Sequence, residues 1–328
     1  MIYSQQRGGI TTAEFFRNFF INQAITLGIL GIKKEIIKIL IQSKRQFGEH
    51  GKRNFCLCGF DVTDMIIRTT DQASKLIHCS NYFNIDLQEK VAEKLVEHSG
   101  LEAVFFCNSG LEANECAIKI ARKFGHAKGI EVPNIIVLKH AFHGRSIATL
   151  SATGNPSVRE DFSPYTEGFI FVDESDLDGI RKIVEENKNV VAIFFEPILG
   201  EGGVVPIDLS VIKGIREICD EHDLLMMCDE VQCGMGRSGK WFAHQWAEIK
   251  PDVITMAKGL AGGVPVGAVI VSEKANIFKP GNHGSTFGGN PLAMRAALET
   301  LSIIEDEKLV ENALEVGKKL KKALSKYL

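Results

Sequence analysis

Leu224-Leu-Met-Met-Cys-Asp-Glu-Val-Gln232 is an almost wholly apolar run of strand length that ends abruptly in two carboxylates and an amide. Continuous apolar runs of this kind read as strands buried on both faces of a parallel sheet, and ligands of such sheets bind beyond the carboxyl ends of the strands. Asp229 therefore stands where a ligand would be. A carboxylate there can pair with a protonated ring nitrogen, and in isolation it reads about equally well as the cap of a following helix.

A lysine follows 29 residues later, in Thr255-Met-Ala-Lys-Gly-Leu-Ala-Gly-Gly263, just past the strand-like run Val253 to Ala257. Apolar surroundings lower a lysine pKa because the ammonium is costly to desolvate, which is how a Schiff-base lysine is prepared. Most lysines followed by glycine merely end an element. With Asp229 at the end of one strand and Lys258 after the next, the two groups can reach one edge of a sheet.

A third element completes the pattern. Ala103 to Cys107 reads as a strand, Asn108-Ser-Gly-Leu111 as a tight turn, and Glu112 to Phe124 as an amphipathic helix with Ala113, Cys116, Ile120 and Phe124 along one side. A glycine-containing turn at a helix N-terminus offers free backbone N–H groups and the positive end of the helix dipole to an anion. Ser109 and Glu112 also have the spacing of a plain capping box.

Further strand-like segments are Asn134–Leu138, Gly168–Val172, Val190–Phe195 and Val266–Val271, alternating with helical patterns at Asp176–Asn187 and Leu209–His222. The alternation predicts an α/β sheet covered on both faces. Gly234-Met-Gly-Arg-Ser-Gly239 fits a dinucleotide-binding fingerprint. The aromatic-rich Lys240 to Ala247 that follows, with no acidic residue ending a second strand about twenty residues on, argues against that use.

The chain has 328 residues, 45% of them hydrophobic, with 38 basic against 41 acidic side chains, so it can bury a large core and shows no global charge directed at nucleic acid or membrane. The eight cysteines, at 56, 58, 79, 107, 116, 219, 228 and 233, form no C-x-x-C pair and mostly fall in apolar runs. They read as buried thiols of a reducing compartment; no metal site is indicated, and a cytoplasmic location is expected.

Six motifs now stand in order: Asn108 to Glu115, Phe142-His-Gly-Arg145, Glu196-Pro-Ile-Leu-Gly-Glu-Gly-Gly203, Asp229-Glu-Val-Gln232, Ala257-Lys-Gly259 and Gly284-Ser-Thr-Phe-Gly-Gly-Asn-Pro-Leu292. In that order and spacing the chain resembles the class III aminotransferases, and within them most closely the acetylornithine aminotransferases. The resemblance implies a pyridoxal-phosphate-dependent enzyme of fold type I, with a mostly parallel seven-stranded sheet in its large domain. It implies that Lys258 carries the cofactor and that Asp229 holds its pyridinium nitrogen. Gln232 would bond its phenolic oxygen, Val231 and Phe142 would pack on its ring, and Gly110 and Leu111 would offer N–H groups to its phosphate. Ser109 and Glu230 are counted with the cofactor-binding residues. Arg145 would take a substrate carboxylate, with Glu201 and Ser285 on the substrate side, and Thr286 would reach the phosphate of the neighbouring subunit, making a homodimer. His143 is given no role. Without the resemblance, Phe142 is an ordinary core aromatic, Arg145 a surface charge and Ser285-Thr286 a turn.

The ends depart from this pattern. Residues 1–71 read as a divergent N-terminal segment, including a basic-apolar run Ile32 to Arg45 expected to form an amphipathic helix resting on the domain. Residues 72–295 read as the cofactor-binding α/β domain, and 296–328 as the start of an incomplete small C-terminal domain lacking the arginine that pairs with Glu201 in relatives. Leu199 and Leu111 replace residues usual in the family and are expected to crowd or dry the site. Two functions follow: transamination of an ω-amino group, N-acetylornithine with 2-oxoglutarate as acceptor as in arginine biosynthesis, or a catalytically impaired remnant. Enzymes acting on ornithine, succinylornithine or 4-aminobutyrate share the same motifs.

Overall fold

A computed structural model describes residues 63–325; the run Ile32 to Arg45 and most of the segment 1–71 lie outside them. The sheet, its helices and the site belong to the compact unit Lys52–Lys318. All seven anticipated strands form: β1 Ala103–Cys107, β2 Asn134–Leu138, β3 Phe169–Val172, β4 Val190–Phe195, β5 Leu225–Asp229, β6 Val253–Met256 and β7 Gly267–Val271. They make one sheet in the order β1-β7-β6-β5-β4-β2-β3. Five neighbours from β3 to β6 run parallel, and β7 is antiparallel to both β6 and β1. A two-residue ribbon, Ile198–Leu199 with Val205–Pro206, follows β4.

The helices are α1 Thr63–Lys75, α2 Asp86–Ser99, α3 Gly110–Ala127, α4 Ile147–Ala152, α5 Pro156–Arg159, α6 Leu177–Glu186, α7 Leu209–Glu221, α8 Pro291–Asp306 and α9 Leu309–Leu324. Their starts are written locally. The side chains of Asp176 and Asp208 accept from Gly179 and Ser210 N–H at the heads of α6 and α7, at 2.9 and 2.8 Å.

Every residue of β4, β5, β6 and β7 is buried, as the continuous apolar runs require. Alternation sorts them to two faces. Leu225, Met227 and Phe194 meet the stripe Ala113, Cys116, Ile120 of α3. Met226, Cys228 and Phe195 meet Ile180 of α6 and Ile215 of α7. Beyond β5 the second face is covered by α2 and α8, with Leu95 and Leu301 against Ile254 and Ile270. Each such large apolar side chain, fully removed from water, contributes about 1.5–3 kcal/mol. Helix α8 runs unbroken across residue 296 and packs in this same cluster.

This order brings the carboxyl ends of β1, β2, β4, β5 and β6 to one edge of the sheet. Each of these ends feeds a motif: β1 into Ser109-Gly110, β2 into Phe142 to Arg145, β4 into Glu196 to Glu201, β5 into Asp229 to Gln232, and β6 into Lys258. Among the described residues no helix is long and apolar enough to cross a membrane.

Candidate active site

A cavity of about 430 Å³ opens at that edge, within the range of small-molecule and cofactor sites. Asp229 and Lys258 both line it, with Ser109, Gly110, Leu111, Phe142, Arg145, Glu201, Val231 and Gln232. Asp229 pairs in register with Thr255 of the parallel neighbour β6, so the lysine that follows β6 emerges beside it.

Asp229 is 2% exposed and fully engaged. Its Oδ2 accepts from Asn114 Nδ2 at 2.7 Å and lies 2.8 Å from His143 Nδ1, while Oδ1 accepts from Val231 N–H at 3.1 Å. Three donors offset the cost of burying a carboxylate. His143 in turn stacks on Phe194, with centroids 4.1 Å apart, and Asn114 also donates to the His143 carbonyl. His143 Nε2 and Asn114 Oδ1 are buried without a protein partner. Sequence reasoning left both residues without a task. The available signal was Asn114 itself, a polar side chain beside the buried stripe of α3.

The lysine has φ 41°, in the left-handed region that non-glycine residues avoid and that clusters at functional sites. Its Nζ donates to Gln232 Oε1. Burial lowers its pKa below the ordinary lysine value, with Arg237 acting in the same direction and Asp229, Glu196 and Glu201 opposing. Glu196 is a buried carboxyl at the same edge. Burial, then the nearby Asp229, push its pKa up to about 8, against the N–H groups of Phe142 and Gly200 that it accepts at 2.8 and 3.2 Å.

The turn expected to take an anion forms as a helix start. Ser109 accepts from Glu112 N–H at 3.2 Å, and the Glu112 carboxylate reaches back to Asn108 N–H, one residue before the cap. This cap serves the third N–H of α3. The first two, on Gly110 and Leu111, have no intrahelical acceptor and belong to residues that line the cavity. The cap and the two free N–H groups thus belong to one helix start. A Cβ on Gly110 would stand 2.7 Å from Val231 Cγ1, so glycine is what lets α3 approach the end of β5.

Two expectations need correction. Glu230 does not face the cavity: the strand alternation turns it away from Asp229, and its buried carboxylate is consumed by Ala243 N–H, His244 N–H, His244 Nδ1 and the Cys233 thiol. Leu199 does not crowd the site either, because it is buried beneath the ribbon with Ile207 and Phe195. Leu111 does line the cavity. Ser285 and Thr286 stand off the lining; Ser285 is tied to it through Asn108 Nδ2 at 3.2 Å, and Thr286 is exposed. Arg145, also exposed, carries its guanidinium over the Phe142 ring at 5.6 Å. The buried thiols of Cys107, Cys116 and Cys219 are pushed up to about 12 by burial.

The family model for aminotransferase class-III matches residues 58–328. The chain belongs to the class III aminotransferases. Among curated proteins of this family, the acetylornithine aminotransferase of Nitrosomonas europaea is 54% identical over 248 residues, covering 75% of this chain and 63% of that protein. Among solved class III structures, the ornithine aminotransferase of Toxoplasma gondii, described with partial occupancy of PLP at its active site, superposes with a TM-score of 0.79 at 34% identity, over 82% of this chain and 64% of that one. The acetylornithine aminotransferase of Elizabethkingia anophelis gives 0.69 at 33% identity, over 80% and 63%. The chain therefore spans just under two thirds of the length of these class III relatives.

Proposed function

We propose that this chain carries the cofactor site of a pyridoxal-phosphate-dependent aminotransferase that takes the terminal amine of N-acetylornithine and passes it to 2-oxoglutarate, in the cytoplasm and as a homodimer. The observation that carries this reading is the placing of a lysine amine with depressed pKa and a fully hydrogen-bonded carboxylate in one cavity.

The donor set fits the cofactor. Gly110 and Leu111 present unsatisfied N–H groups suited to a phosphate, Asp229 suits a protonated ring nitrogen, Gln232 a phenolic oxygen, and Phe142 and Val231 an aromatic ring. When bound, pyridoxal phosphate supplies an electron sink for the bond broken at the donor carbon. The protein does the rest. Lys258, whose ammonium form is disfavoured by partial desolvation, takes the proton from the donor carbon and returns it as general base and then acid. Asn114, His143 and the Val231 N–H fix the orientation of Asp229, so no reorientation is needed as charge develops. Arg145 offers a planar fork to a substrate carboxylate, with Glu201 and Ser285 nearby on the substrate side.

Support for a second subunit comes from the surface around Thr286. Phe287, Tyr82 and Phe83 are 58%, 98% and 69% exposed, and Asn81 ties the two segments together by donating to the Ser285 and Gly288 carbonyls at 2.9 Å. An apolar patch of this kind is one that a partner covers.

Adding pyridoxal phosphate to the purified protein should produce a visible absorbance band that Lys258→Ala lacks, and N-acetylornithine should bleach it. A wild-type protein with no band ends the reading. Bleaching by ornithine, succinylornithine or 4-aminobutyrate in preference to N-acetylornithine would reassign the donor.

A further inference from the structure

The stretch Gly234-Met-Gly-Arg-Ser-Gly239, which resembles a nucleotide fingerprint in sequence, has a different use in the fold. Met235, Gly236 and Gly239 all have positive φ, at 60°, 83° and 84°. The loop doubles back on itself: Gly236 N–H donates to the Trp241 carbonyl at 3.1 Å, Gly239 N–H to the Gly236 carbonyl at 3.0 Å, and Trp246 Nε1 to the Ser238 carbonyl at 3.1 Å. Helix α9 packs where side chains on those glycines would stand, with Val310 Cγ2 3.0 Å from a Cβ on Gly236 and Leu314 Cβ 2.8 Å from one on Gly239.

The loop so fixed has Arg237 at its tip. Its guanidinium nitrogens lie 2.9 and 3.0 Å from the place a Cβ on Gly259 would occupy. A flat cation thus covers the backbone directly after Lys258, and only glycine there gives it room. The cavity that Lys258 lines also holds Asp229 and Glu201, whose charge favours its ammonium form, Glu196, whose own carboxyl is pushed up to about 8, and the uncharged Gln232. Burial disfavours the ammonium form and these carboxylates favour it; a cation beside the lysine backbone acts in the same direction as burial.

We propose that Arg237 is a positioning residue for Lys258: the glycine-rich loop, docked under α9, lays its guanidinium on Gly259 as a fixed cation that opposes the carboxylates of the cavity and helps to keep the amine available to react. The proposal rests on the assignment of Lys258 as the reactive amine.

The test is trace acetylation of the full chain without added cofactor, across a pH series, with the Lys258 peptide quantified by mass spectrometry. The midpoint of its rate against pH reports the state of the amine without any enzymatic turnover. Wild-type Lys258 should titrate below the surface lysines. R237Q, which keeps a polar side chain and removes the charge, should raise the midpoint and so lower the fraction of neutral amine at any given pH below it. R237K, which keeps the charge, should stay with the wild type. An unmoved midpoint in R237Q, or a midpoint in R237K that rises as far as in R237Q, overturns the role of Arg237 while leaving Lys258 as assigned. A wild-type lysine that titrates with the surface lysines overturns both, and is recognised before any substitution is made.

Discussion

Replacing Gly110 by alanine adds one methyl group at the point where α3, β5 and Lys258 come closest. The new Cβ would stand 2.7 and 3.0 Å from the two Val231 methyls and 3.4 Å from Ala257 Cβ, about 0.7 Å inside ordinary contact with the nearer methyl. Val231 is β-branched and therefore stiff at χ1, and both of its methyls crowd the new atom, so the helix start is expected to move. The expected cost is about 1–3 kcal/mol, read as a lower urea midpoint with unchanged slope, or a Tm lower by about 2–4 °C per kcal/mol. Cofactor affinity should fall as well, because the displaced atoms are the N–H groups of Gly110 and Leu111. Gly317→Ala in α9 is the control. Nothing lies within 4 Å of its would-be Cβ, and an open helix position gains up to about 1 kcal/mol from the same substitution. Equal effects of opposite expectation are easily told apart: if Gly110→Ala is as stable as wild type, or less damaging than Gly317→Ala, the close approach of α3 to β5 is wrong.

Glu196 gives a pH signature. Its folded-state pKa of about 8 lies above the ordinary carboxyl value, so its contribution is fully present below the ordinary range and is lost as pH rises to about 8. Denaturation of the wild type should therefore become easier from mildly acidic to mildly alkaline pH, and E196Q should flatten that slope; parallel profiles for the two proteins would refute the assignment. His143→Leu removes one donor from the buried Asp229 and should cost about 1.5–3 kcal/mol. Calorimetry checks it, and a Tm within error of wild type would mean that the 2.8 Å contact carries nothing.

Much of this was legible in the chain because burial on both faces leaves a simple trace. Runs such as Val190–Phe195 and Leu224–Cys228 have the length of strands and alternate with helical patterns, so they read as central strands of an α/β protein whose ends mark the ligand edge. That Asp229 and Lys258 line one cavity followed from that edge. What stayed hidden depended on direction rather than composition. Glu230 carries the same charge as its neighbour, yet alternation along β5 sends it to Cys233 and His244 instead of the cavity. Leu199 looked like an intruder, and a two-residue ribbon folds it under the loop. His143 and Asn114 act on Asp229 from separate elements, a meeting that no local spacing encodes.

The placing of β7 between β1 and β6 has a consequence for assembly. Among the described residues the first strand of the sheet finds its only strand neighbour in the last, with Phe106 opposite Ala268, so the turn proposed to take an anion and the lysine of the same cavity belong to stretches of chain far apart in sequence. Pairing across so long a separation carries a loop-closure cost and is expected to form late in folding. A nascent polypeptide emerging from the ribosome therefore holds every residue of the pocket before it holds the pocket, and ligand capture by a stalled chain would mark the moment at which Gly267 to Val271 slots into place.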